Sequence, residues 1–316
     1  MDRSPQLPSL DIVRSERAAA RQHTLKAPIG CVGIGVHSGR RVSLTLKPAE
    51  IDHGIVFRRT DLGRSIQATY DRVVDTRLCT VIADADWASA RVGTIEHLMA
   101  AFSAAGIDNA LVELDGPEVP ILDGSAAPFL FLLECAGIAE QASPRRTIEI
   151  QRTIRVTEGD SFAEFRPLPG FSRTAAPILD MEISIDFAAP AIGRQTSALR
   201  LNTTNFRHGI ARARTFALAE DVAKLQAAGL AQGGSLDNAL VVDGHTVLNP
   251  GGLRMDNEFA AHKLLDAVGD LALAGAALHG RFVAHRPGHA LNNKLLRALF
   301  AASGASERVE AEAVAA

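Results

Sequence analysis

The chain has 316 residues, of which 47% are hydrophobic and 22% are charged, so it is long enough to bury one large core or two ordinary ones. This composition excludes disorder as the main state of the chain. A formal net charge of -3, with one Trp and one Tyr, excludes both a basic nucleic-acid-binding surface and an aromatic platform for stacked bases.

The first part of the chain predicts an arm, then strands, then helices. Residues 1–22 are polar, lack apolar periodicity and are expected to form an N-terminal arm. The elements predicted after it are a strand at 42–47, a helix from Thr94 to Gly106, a strand at 110–114 and a helix from Ser125 to Ala136. Strict alternation of polar and apolar residues identifies the first strand. Thr94 is the expected N-cap of the first helix, and Gly106 its end.

The second part repeats this order behind a polar, Pro-containing stretch at 141–146, which predicts a linker. Its predicted elements are strands near 147–156, 161–167 and 178–186, helices near 217–228, 256–274 and 290–301, and strands near 238–242 and 279–285. Strands gathered ahead of helices, twice, predict an α+β protein with two domains of similar architecture, each a sheet packed against helices. The expected domains are 23–142 and 147–303, followed by a tail at 304–316. No clean sequence repeat supports a duplication.

Cysteine usage and hydropathy predict the compartment. Cys31, Cys79 and Cys135 form no CxxC pair, and an odd number of cysteines without a secretory leader favours reduced thiols. Residues 1–22 contain no hydrophobic stretch of signal-peptide length. No apolar run reaches the roughly 18 residues that a transmembrane helix needs. We therefore expect a soluble, cytoplasmic protein with no transmembrane segment.

A metal site is indicated by the helix predicted near 256–274. His262, Asp266 and Asp270 stand four residues apart and form one stripe on a helix. An imidazole and a carboxylate one turn apart can bind a single metal ion. The same stripe also fits the solvated face of an amphipathic helix, because Leu264 and Val268 lie on the other side. A third ligand is needed to decide between these interpretations.

Glu96 and His97 supply that candidate in the first turn of the earlier helix. Neighbouring helical residues diverge by about 100°, so both are not expected to bind one ion. A division of labour fits better, with His97 as a ligand and Glu96 as a base beside metal-bound water. The alternative is an acidic residue that favours the helix N-terminus beside an ordinary histidine. HExxH, the helix motif of many zinc proteases, is absent from the sequence.

His289 opens a helix after a strand, within Pro287-Gly-His-Ala-Leu-Asn-Asn-Lys. The helix dipole at that end lowers the pKa of an imidazole. A carboxylate such as Asp270 would restore the pKa and give a histidine able to donate a proton. The alternative is a histidine that caps the helix.

Glycine- and serine-containing segments support no other chemistry. Residues 33–39 are glycine-rich but lack the dinucleotide-binding spacing and precede a strand, so they predict a turn. Ser125 and Ser235 each follow glycine, and neither lies in a GxSxG motif, so a serine nucleophile is not indicated.

Six short motifs occur in a fixed order along the chain. They are Thr94-Ile-Glu-His-Leu, Asp123-Gly-Ser-Ala-Ala-Pro, Arg212-Ala-Arg-Thr-Phe, Gly233-Gly-Ser, His262-Lys-Leu-Leu-Asp and Gly288-His-Ala-Leu-Asn-Asn-Lys. As an ordered set they resemble the UDP-3-O-acyl-N-acetylglucosamine deacetylase family, the zinc enzymes of lipid A biosynthesis. The resemblance runs from about Thr24 to Ala302, and it favours the metal site over the alternatives.

The resemblance implies an active site at the domain interface that removes the N-acetyl group of an acylated UDP-aminosugar and releases acetate. A catalytic Zn²⁺ would be held by His97, His262 and Asp266, with the fourth position open to water. The same ligands suit Fe²⁺, which is the alternative to Zn²⁺ in the cell. Glu96 would deprotonate the metal-bound water that attacks the amide carbonyl.

The resemblance also implies roles around the reacting carbonyl. The hydroxyl of Thr215 would stabilise the oxyanion. His289, oriented by Asp270, would protonate the leaving amine; alternatively Glu96 acts as both base and acid, and His289 is purely electrostatic.

Substrate contacts implied by the resemblance are Lys263, beside a ligand, and Phe216, which would pack against the sugar. An apolar passage for the acyl chain would be built by an insertion in the second domain at about 217–241, which includes Ala219, Val222, Leu236 and Val241. Plain core packing is the alternative for that segment. Cys79 and His37 match positions near the site, without a necessary role. A monomer is favoured.

Three competing functions are kept in view. One is the same metal-dependent hydrolysis on another acylated substrate. Another is an inactive lipid- or nucleotide-sugar-binding protein, which the presence of Glu96 disfavours. The third is a structural metalloprotein, which needs a fourth protein ligand.

Overall fold

Two sheets with the same strand order organise the computed structural model, which describes residues 20–169 and 176–302. The tail expected at 304–316, and all but the last three residues of the expected arm, lie outside the described residues. In the first half of the chain the strands are β1 (Arg21–Leu25), β2 (Ile29–Ile34), β3 (Arg41–Pro48), β4 (Ile55–Arg59), β5 (Arg64–Gln67), β6 (Val73–Asp75), β7 (Val81–Ala83), β8 (Arg91–Val92), β9 (Ala110–Leu114) and β10 (Ile138–Pro144). The helices of this half are α1 (Glu96–Ala105) and α2 (Ala127–Ala136).

The second half has more helix. Its strands are β11 (Thr147–Glu149), β12 (Ile154–Glu158), β13 (Ser161–Arg166), β14 (Leu179–Asp186), β15 (Arg194–Arg200), β16 (Phe216–Leu218), β17 (Leu240–Asp243), β18 (Thr246–Val247) and β19 (Ala277–His285). Its helices are α3 (Thr203–Gly209), α4 (Ala219–Ala227), α5 (Glu258–Ala272) and α6 (His289–Ala302). None of these described helices is long and apolar enough to cross a membrane.

The topology is duplicated. The first sheet has the order β2-β3-β9-β4-β5, and the second has the order β12-β13-β19-β14-β15 with β11 also paired to β19. In each sheet the central strand runs parallel to one neighbour (β4 or β14), and the other pairings along these two paths are antiparallel. In the first half α1 precedes the central strand β9 and α2 follows it. In the second half α5 precedes the central strand β19 and α6 follows it. The predicted α+β class with two similar architectures is confirmed.

Each half inserts extra structure at the same place, between its fourth sheet strand and the helix that precedes the central strand. The first insertion contains the small sheet β6-β7-β8, and the second contains α3, α4 and the small sheet β16-β17-β18. Both insertions contribute to the cavity described below.

Helices α1 and α5 cross closely in the core. The crossing is possible because Gly269 on α5 has no side chain: a Cβ there would lie 1.9 Å from the backbone oxygen of Glu96. Apolar residues that alternate along β3 fill the first sheet's inner face, where Val42, Leu44 and Leu46 are fully buried. The close crossing brings the start of α1 against the middle of α5, so residues far apart in sequence share one site.

Several predicted elements are wrong in detail. The 141–146 stretch is mostly strand and not a linker: β10 ends at Pro144 and pairs with β1, and the chain enters β11 after two residues. Gln141 in this stretch is held by hydrogen bonds, because its Oε1 accepts from Asn109 Nδ2 (2.7 Å) and its Nε2 donates to Ala49 O (2.9 Å). The strand near 147–156 is divided into β11 and β12, and the helix near 217–228 begins as strand β16. The boundary between the predicted domains stays a prediction.

Candidate active site

A cavity of about 500 Å³ contains side chains from both halves of the chain. From the first half it is lined by Val36, His37, Leu78, Cys79, Thr94, Glu96, His97 and Ile121. From the second half it is lined by Phe187, Thr215, Phe216, several residues of 217–241, and the site residues His262, Lys263, Asp266 and His289. Of the candidate catalytic, substrate-binding and metal-binding residues, all of which the structure describes, Asp270 alone does not line the cavity.

The start of α1 differs from the prediction. Thr94 does not cap the helix: α1 begins at Glu96, and Ile95 occupies the N-cap position without a side-chain hydrogen bond. Thr94 has φ +56°, a conformation that costs a β-branched residue about 1–3 kcal/mol. Its hydroxyl donates to Glu118 Oε1 at 2.8 Å and is therefore not available to the helix. The end of α1 at Gly106 is confirmed, in the left-handed conformation expected of a C-terminal glycine.

His97, His262 and Asp266 converge on one point. Their ligand atoms all lie within 4.8 Å of one another. Asp266 Oδ1 is 3.5 Å from His97 Nε2 and 3.3 Å from His262 Nε2, and the two imidazole rings are nearly perpendicular at 83°. The stripe on α5 is buried against α1, with His262 1% and Asp266 4% exposed, so the solvated-face interpretation is wrong.

The hydrogen bonding of this cluster fits a metal ion. Asp266 Oδ1 is buried and has no hydrogen-bond partner among the residues that the structure describes, which is costly unless a cation occupies the space beside it. His262 Nδ1 donates to the carbonyl oxygen of Ala213 at 3.0 Å, so the lone pair of Nε2 faces the cluster. His97 Nδ1 is buried without a partner among the described residues. Two imidazole nitrogens and one carboxylate oxygen form a donor set suited to Zn²⁺ or Fe²⁺.

The protonation states of the cluster also favour metal binding. Burial lowers the pKa of His262 to about 3, so the imidazole is neutral at pH 7. Burial alone would raise the pKa of Asp266, but neighbouring His262 and Lys263 outweigh it and hold the pKa well below its usual value. Because His262 is neutral at pH 7, the positive charge there comes from Lys263, whose Nζ donates to Asp266 Oδ2 at 2.9 Å.

Glu96 is a buried carboxylate next to this cluster. Its Oε2 accepts a hydrogen bond from the backbone N–H of Thr80 at 3.1 Å, and its Oε1 lies 3.9 Å from His289 Nε2. Burial raises the pKa of Glu96, with Asp266 and Asp270 acting in the same direction. A carboxylate with a raised pKa accepts a proton more readily at neutral pH, as a general base must.

Asp270 orients His289 through a buried network. His289 Nδ1 donates to Asp270 Oδ2 at 2.9 Å, and the carboxylate also accepts from Thr80 Oγ1 (2.6 Å) and Asn292 Nδ2 (2.9 Å). Burial would lower the pKa of His289, but the charge and hydrogen bond of Asp270 outweigh it and raise the pKa to about 9. The imidazole is therefore a cation at neutral pH and is hydrogen-bonded to a carboxylate.

Thr215, Phe216 and Lys263 lie on the wall of the cavity. Lys263 Nζ is 5.5 Å from the centre of the Phe216 ring, which leaves an ammonium beside an aromatic face. Phe216 is held edge-on by Phe259 at 5.0 Å and by Phe187 at 5.4 Å. The wall at this point combines apolar surface with one positive charge.

The segment predicted as an acyl passage lines the cavity over much of its length. Val222, Leu236 and Val241 line it, but Ala219 does not. Leu236 is 42% exposed, so plain core packing does not describe this residue, whereas Leu240 in the same segment is fully buried. Phe187 also lines the cavity from outside the predicted segment.

Sequence reasoning missed the residues that hold the reactive groups in place. Asn292 lies within a motif selected for His289, so its position was visible, but its bond to Asp270 was not. Thr80 bonds both Glu96 and Asp270 from the first insertion, and no spacing rule connects positions so far apart. Glu118 has no signal beyond being an acidic residue near a proline.

Comparison with known proteins agrees with the residues assembled here. The family model described as UDP-3-O-acyl N-acetylglycosamine deacetylase matches residues 22–301. The chain belongs to this deacetylase family. Relatives named UDP-3-O-acyl-N-acetylglucosamine deacetylase include one from Acidithiobacillus ferrooxidans, 49% identical over 294 residues, and one from Shewanella violacea, 46% identical over 295 residues. Each alignment covers 92% of this chain and 93% of the relative.

The match to the deacetylase family model covers almost all of the described residues, including both insertions and the whole cavity wall. The family match therefore applies to the two halves together, and not to a shared sheet alone.

Proposed function

We propose that the protein is a cytoplasmic, zinc-dependent deacetylase that hydrolyses the N-acetyl group of UDP-3-O-(3-hydroxyacyl)-N-acetylglucosamine and releases acetate in lipid A biosynthesis. The observation that carries the proposal is the buried Asp266 Oδ1, which lies between two imidazoles without a hydrogen-bond partner in the described ranges and beside a carboxylate of raised pKa. Relatives 46–49% identical to the chain are named for deacetylation of this class of substrate.

His97, His262 and Asp266 would hold the metal. A bound Zn²⁺ supplies Lewis acidity, which polarises a carbonyl and makes water more acidic. The same ligands suit Fe²⁺ as the alternative metal in the cell. Lys263 neutralises the second oxygen of Asp266, so the carboxylate remains ionised and ready to bind a cation.

Glu96 is the proposed general base. Its carboxylate is fixed by the Thr80 N–H at 3.1 Å, and burial raises its pKa towards the range where it can both take and return a proton. In the reaction Glu96 takes a proton from the attacking water. The new bond from water oxygen to the amide carbon places negative charge on the carbonyl oxygen, which the Thr215 hydroxyl on the cavity wall would stabilise.

His289 would act when the carbon–nitrogen bond breaks. The leaving amine needs a proton, and His289 is a cation whose Nδ1 is held by Asp270 at 2.9 Å, which leaves Nε2–H to face the site. Nε2 lies 3.9 Å from Glu96 Oε1, so the two groups act on the same small volume. If Glu96 returns the proton itself, His289 contributes charge stabilisation only.

The rest of the cavity would bind the substrate. Phe216 offers an apolar face to the sugar, and Lys263 offers a positive charge next to it. The apolar lining that includes Val222, Leu236 and Val241 would enclose the acyl chain.

The test is an acetate-release assay on the metal-stripped protein, with and without added Zn²⁺ or Fe²⁺. We expect activity on the 3-O-acylated UDP-N-acetylglucosamine only after metal is restored. UDP-N-acetylglucosamine without the acyl chain is the matched control, and we expect it to react far more slowly. Equal turnover of both sugars would contradict the proposed substrate, and full activity of the stripped protein would contradict the metal dependence.

A further inference from the structure

Glu118 is a buried carboxylate that forms no ion pair with a basic side chain in the described part of the chain and takes no part in the proposed chemistry. It is 4% exposed and follows β9 in the first half. Its oxygens accept four hydrogen bonds: from Thr94 Oγ1 at 2.8 Å, from the backbone N–H groups of His37 and Ser38 at 3.0 Å each, and from Ser38 Oγ at 2.8 Å. A single side chain therefore joins two segments that both reach the cavity.

The first segment leads directly into the proposed base. Thr94 has φ +56° and is 3% exposed, two residues before Glu96. A β-branched residue does not adopt this conformation unless its surroundings enforce it. The hydroxyl bond to Glu118 holds Thr94 in this conformation, together with two backbone bonds of the preceding residue, Gly93 N to Pro117 O at 2.9 Å and Val119 N to Gly93 O at 3.0 Å.

The second segment is the turn at 35–39, which carries His37 to the cavity. The turn is closed by a hydrogen bond from Gly39 N to Gly35 O at 3.0 Å. Gly35 must lack a side chain, because a Cβ there would lie 2.3 Å from Glu118 Oε2. The turn and the carboxylate are thus fitted to each other.

This turn also contacts the second half of the chain. Gly233 N donates to Val36 O at 3.0 Å, and Gln232 N donates to His37 O at 3.2 Å. A Cβ on Gly233 would lie 2.3 Å from Gly35 O, so the two backbones approach as closely as glycine allows. Gly234, Ser235 and Leu236, which follow, line the cavity.

We propose that Glu118 is a positioning residue: it fixes the entry to α1, and with it Glu96, in register with the turn at 35–39 and the cavity wall behind that turn. This inference rests on the proposed deacetylase function. Glu118 reaches no reacting atom; it acts through Thr94 on the base and through His37 and Ser38 on the wall.

The test begins with Glu118→Gln, which keeps the volume but replaces one acceptor oxygen with a donor NH₂. The amide cannot accept all four hydrogen bonds, so one segment must shift. We expect kcat on the acylated substrate to fall about 10- to 100-fold, as small misplacements of a reacting group do, with metal content unchanged. KM should rise less than kcat falls.

The matched control is Glu164→Gln. Glu164 is equally buried, at 4% exposed, and accepts hydrogen bonds from Arg155 and Arg166 on the second sheet, outside the cavity lining. Its substitution should lower the melting temperature and leave kcat unchanged. Equal losses of melting temperature in both variants, with wild-type kcat and KM in Glu118→Gln, would overturn the proposal.

Thr94 provides a second route if Glu118→Gln folds poorly. Thr94→Ser keeps the hydroxyl and should retain more kcat than Thr94→Ala. Thr94→Ala removes the Thr94–Glu118 hydrogen bond and Glu118→Gln disturbs the same network, so their effects on kcat should be less than additive in the double variant. Full additivity would contradict coupling through this bond.

Hydrogen exchange gives a readout that does not depend on activity. In Glu118→Gln, exchange should accelerate at the amides of His37 and Ser38 and at 94–97, and not across the second sheet. Protection unchanged at these amides would overturn the positioning role. A wild-type protein that is inactive on the acylated sugar but shows the expected exchange pattern would contradict the proposed function alone.

Discussion

The two halves of the molecule have the same strand order but contribute different sets of residues to the candidate site. The first half contributes Glu96 and His97 from the first turn of α1. The second half contributes His262, Asp266 and Asp270 from the middle of α5, and His289 from the start of α6. In the duplicated topology α1 and α5 are equivalent helices, so one half presents a helix end to the site and the other presents a helix side.

This difference teaches how a duplicated fold can build one site. Because Gly269 lets α1 approach α5 closely, the helix end and the helix side meet at their crossing. Support is unequal too: His262 Nδ1 is held by Ala213 O at 3.0 Å, while His97 Nδ1 has no partner among the described residues. The second half is expected to hold its ligand more rigidly than the first.

The sharpest test of the comparison removes one imidazole from each half. His97→Ala and His262→Ala should each lose bound metal and lower kcat/KM about 1,000-fold or more, because two ligands remain and Lewis acidity worth several kcal/mol is lost. Metal analysis and acetate release measure both effects. His245→Ala, at an exposed histidine, is the control. If His97→Ala kept a full complement of metal, the first half would contribute no ligand.

The next test separates the base from the ligands within the first half. Glu96→Gln should keep its metal and lower kcat about 10²- to 10⁴-fold, the usual contribution of a general base. Metal content and kcat are measured on the same preparation. Glu113→Gln on β9, whose carboxylate pairs with Lys47 near the surface, is the control for loss of a charge in this half. Wild-type turnover in Glu96→Gln would refute the proposed role.

The pH test concerns the second half. In the metal-free protein the pKa of His289 is about 9, because Asp270 outweighs the effect of burial. This exceeds the ordinary value near 6.5, so protonation of His289 stabilises the fold fully below pH 6.5, and the contribution is lost as pH rises through 9. Its size is on the order of 3 kcal/mol or less.

Asp270→Asn should lower the pKa of His289 from about 9, because the largest influence that raises it is removed while the burial remains. Proton NMR of the imidazole against pH measures this in both metal-free proteins. Denaturant unfolding at several pH values measures how much more stable the wild type is than His289→Gln. We expect this gap in unfolding free energy to narrow from pH 6.5 to pH 9. A gap that widened over this range would mean that His289 is held neutral.

The smallest effect is expected at the cavity wall built by the second insertion. Val222→Phe on α4 should narrow the apolar lining and raise KM for a long-chain substrate about 10-fold, with little change for a short acyl chain. Lys224→Phe, an exposed position on the same helix that is not part of the lining, is the matched control. Equal KM changes for both chain lengths would show that Val222 does not contact the acyl chain.

The stripe on α5 shows how far sequence patterns reach in this protein. Helical periodicity put His262, Asp266 and Asp270 on one face, and the structure has them there. Periodicity was equally compatible with a solvated face, because it describes one helix and not what packs against it. Burial of that face by α1 decided the matter, and it depends on contacts between residues some 170 positions apart, such as those of Gly269 and Glu96.

Thr94 and the 141–146 stretch show where local rules fail. Threonine before an acidic turn is a sound N-cap signal, but Glu118 captures the hydroxyl and the backbone takes φ +56°. Polar residues near a proline favour a linker, but β1 supplies a pairing strand and Asn109 satisfies the glutamines. In both cases a distant partner outweighed the local preference.

By itself the sequence determined the α+β class, the helices that carry the reactive residues, and the deacetylase family, because periodicity and ordered motifs are local properties of a chain. Only the tertiary structure decided that the three candidate metal ligands are buried together, that His289 lies against Asp270, and that Glu118 joins Thr94 to the turn at 35–39. These properties depend on desolvation and on hydrogen bonds between distant residues, and both exist only after the two halves have packed against each other.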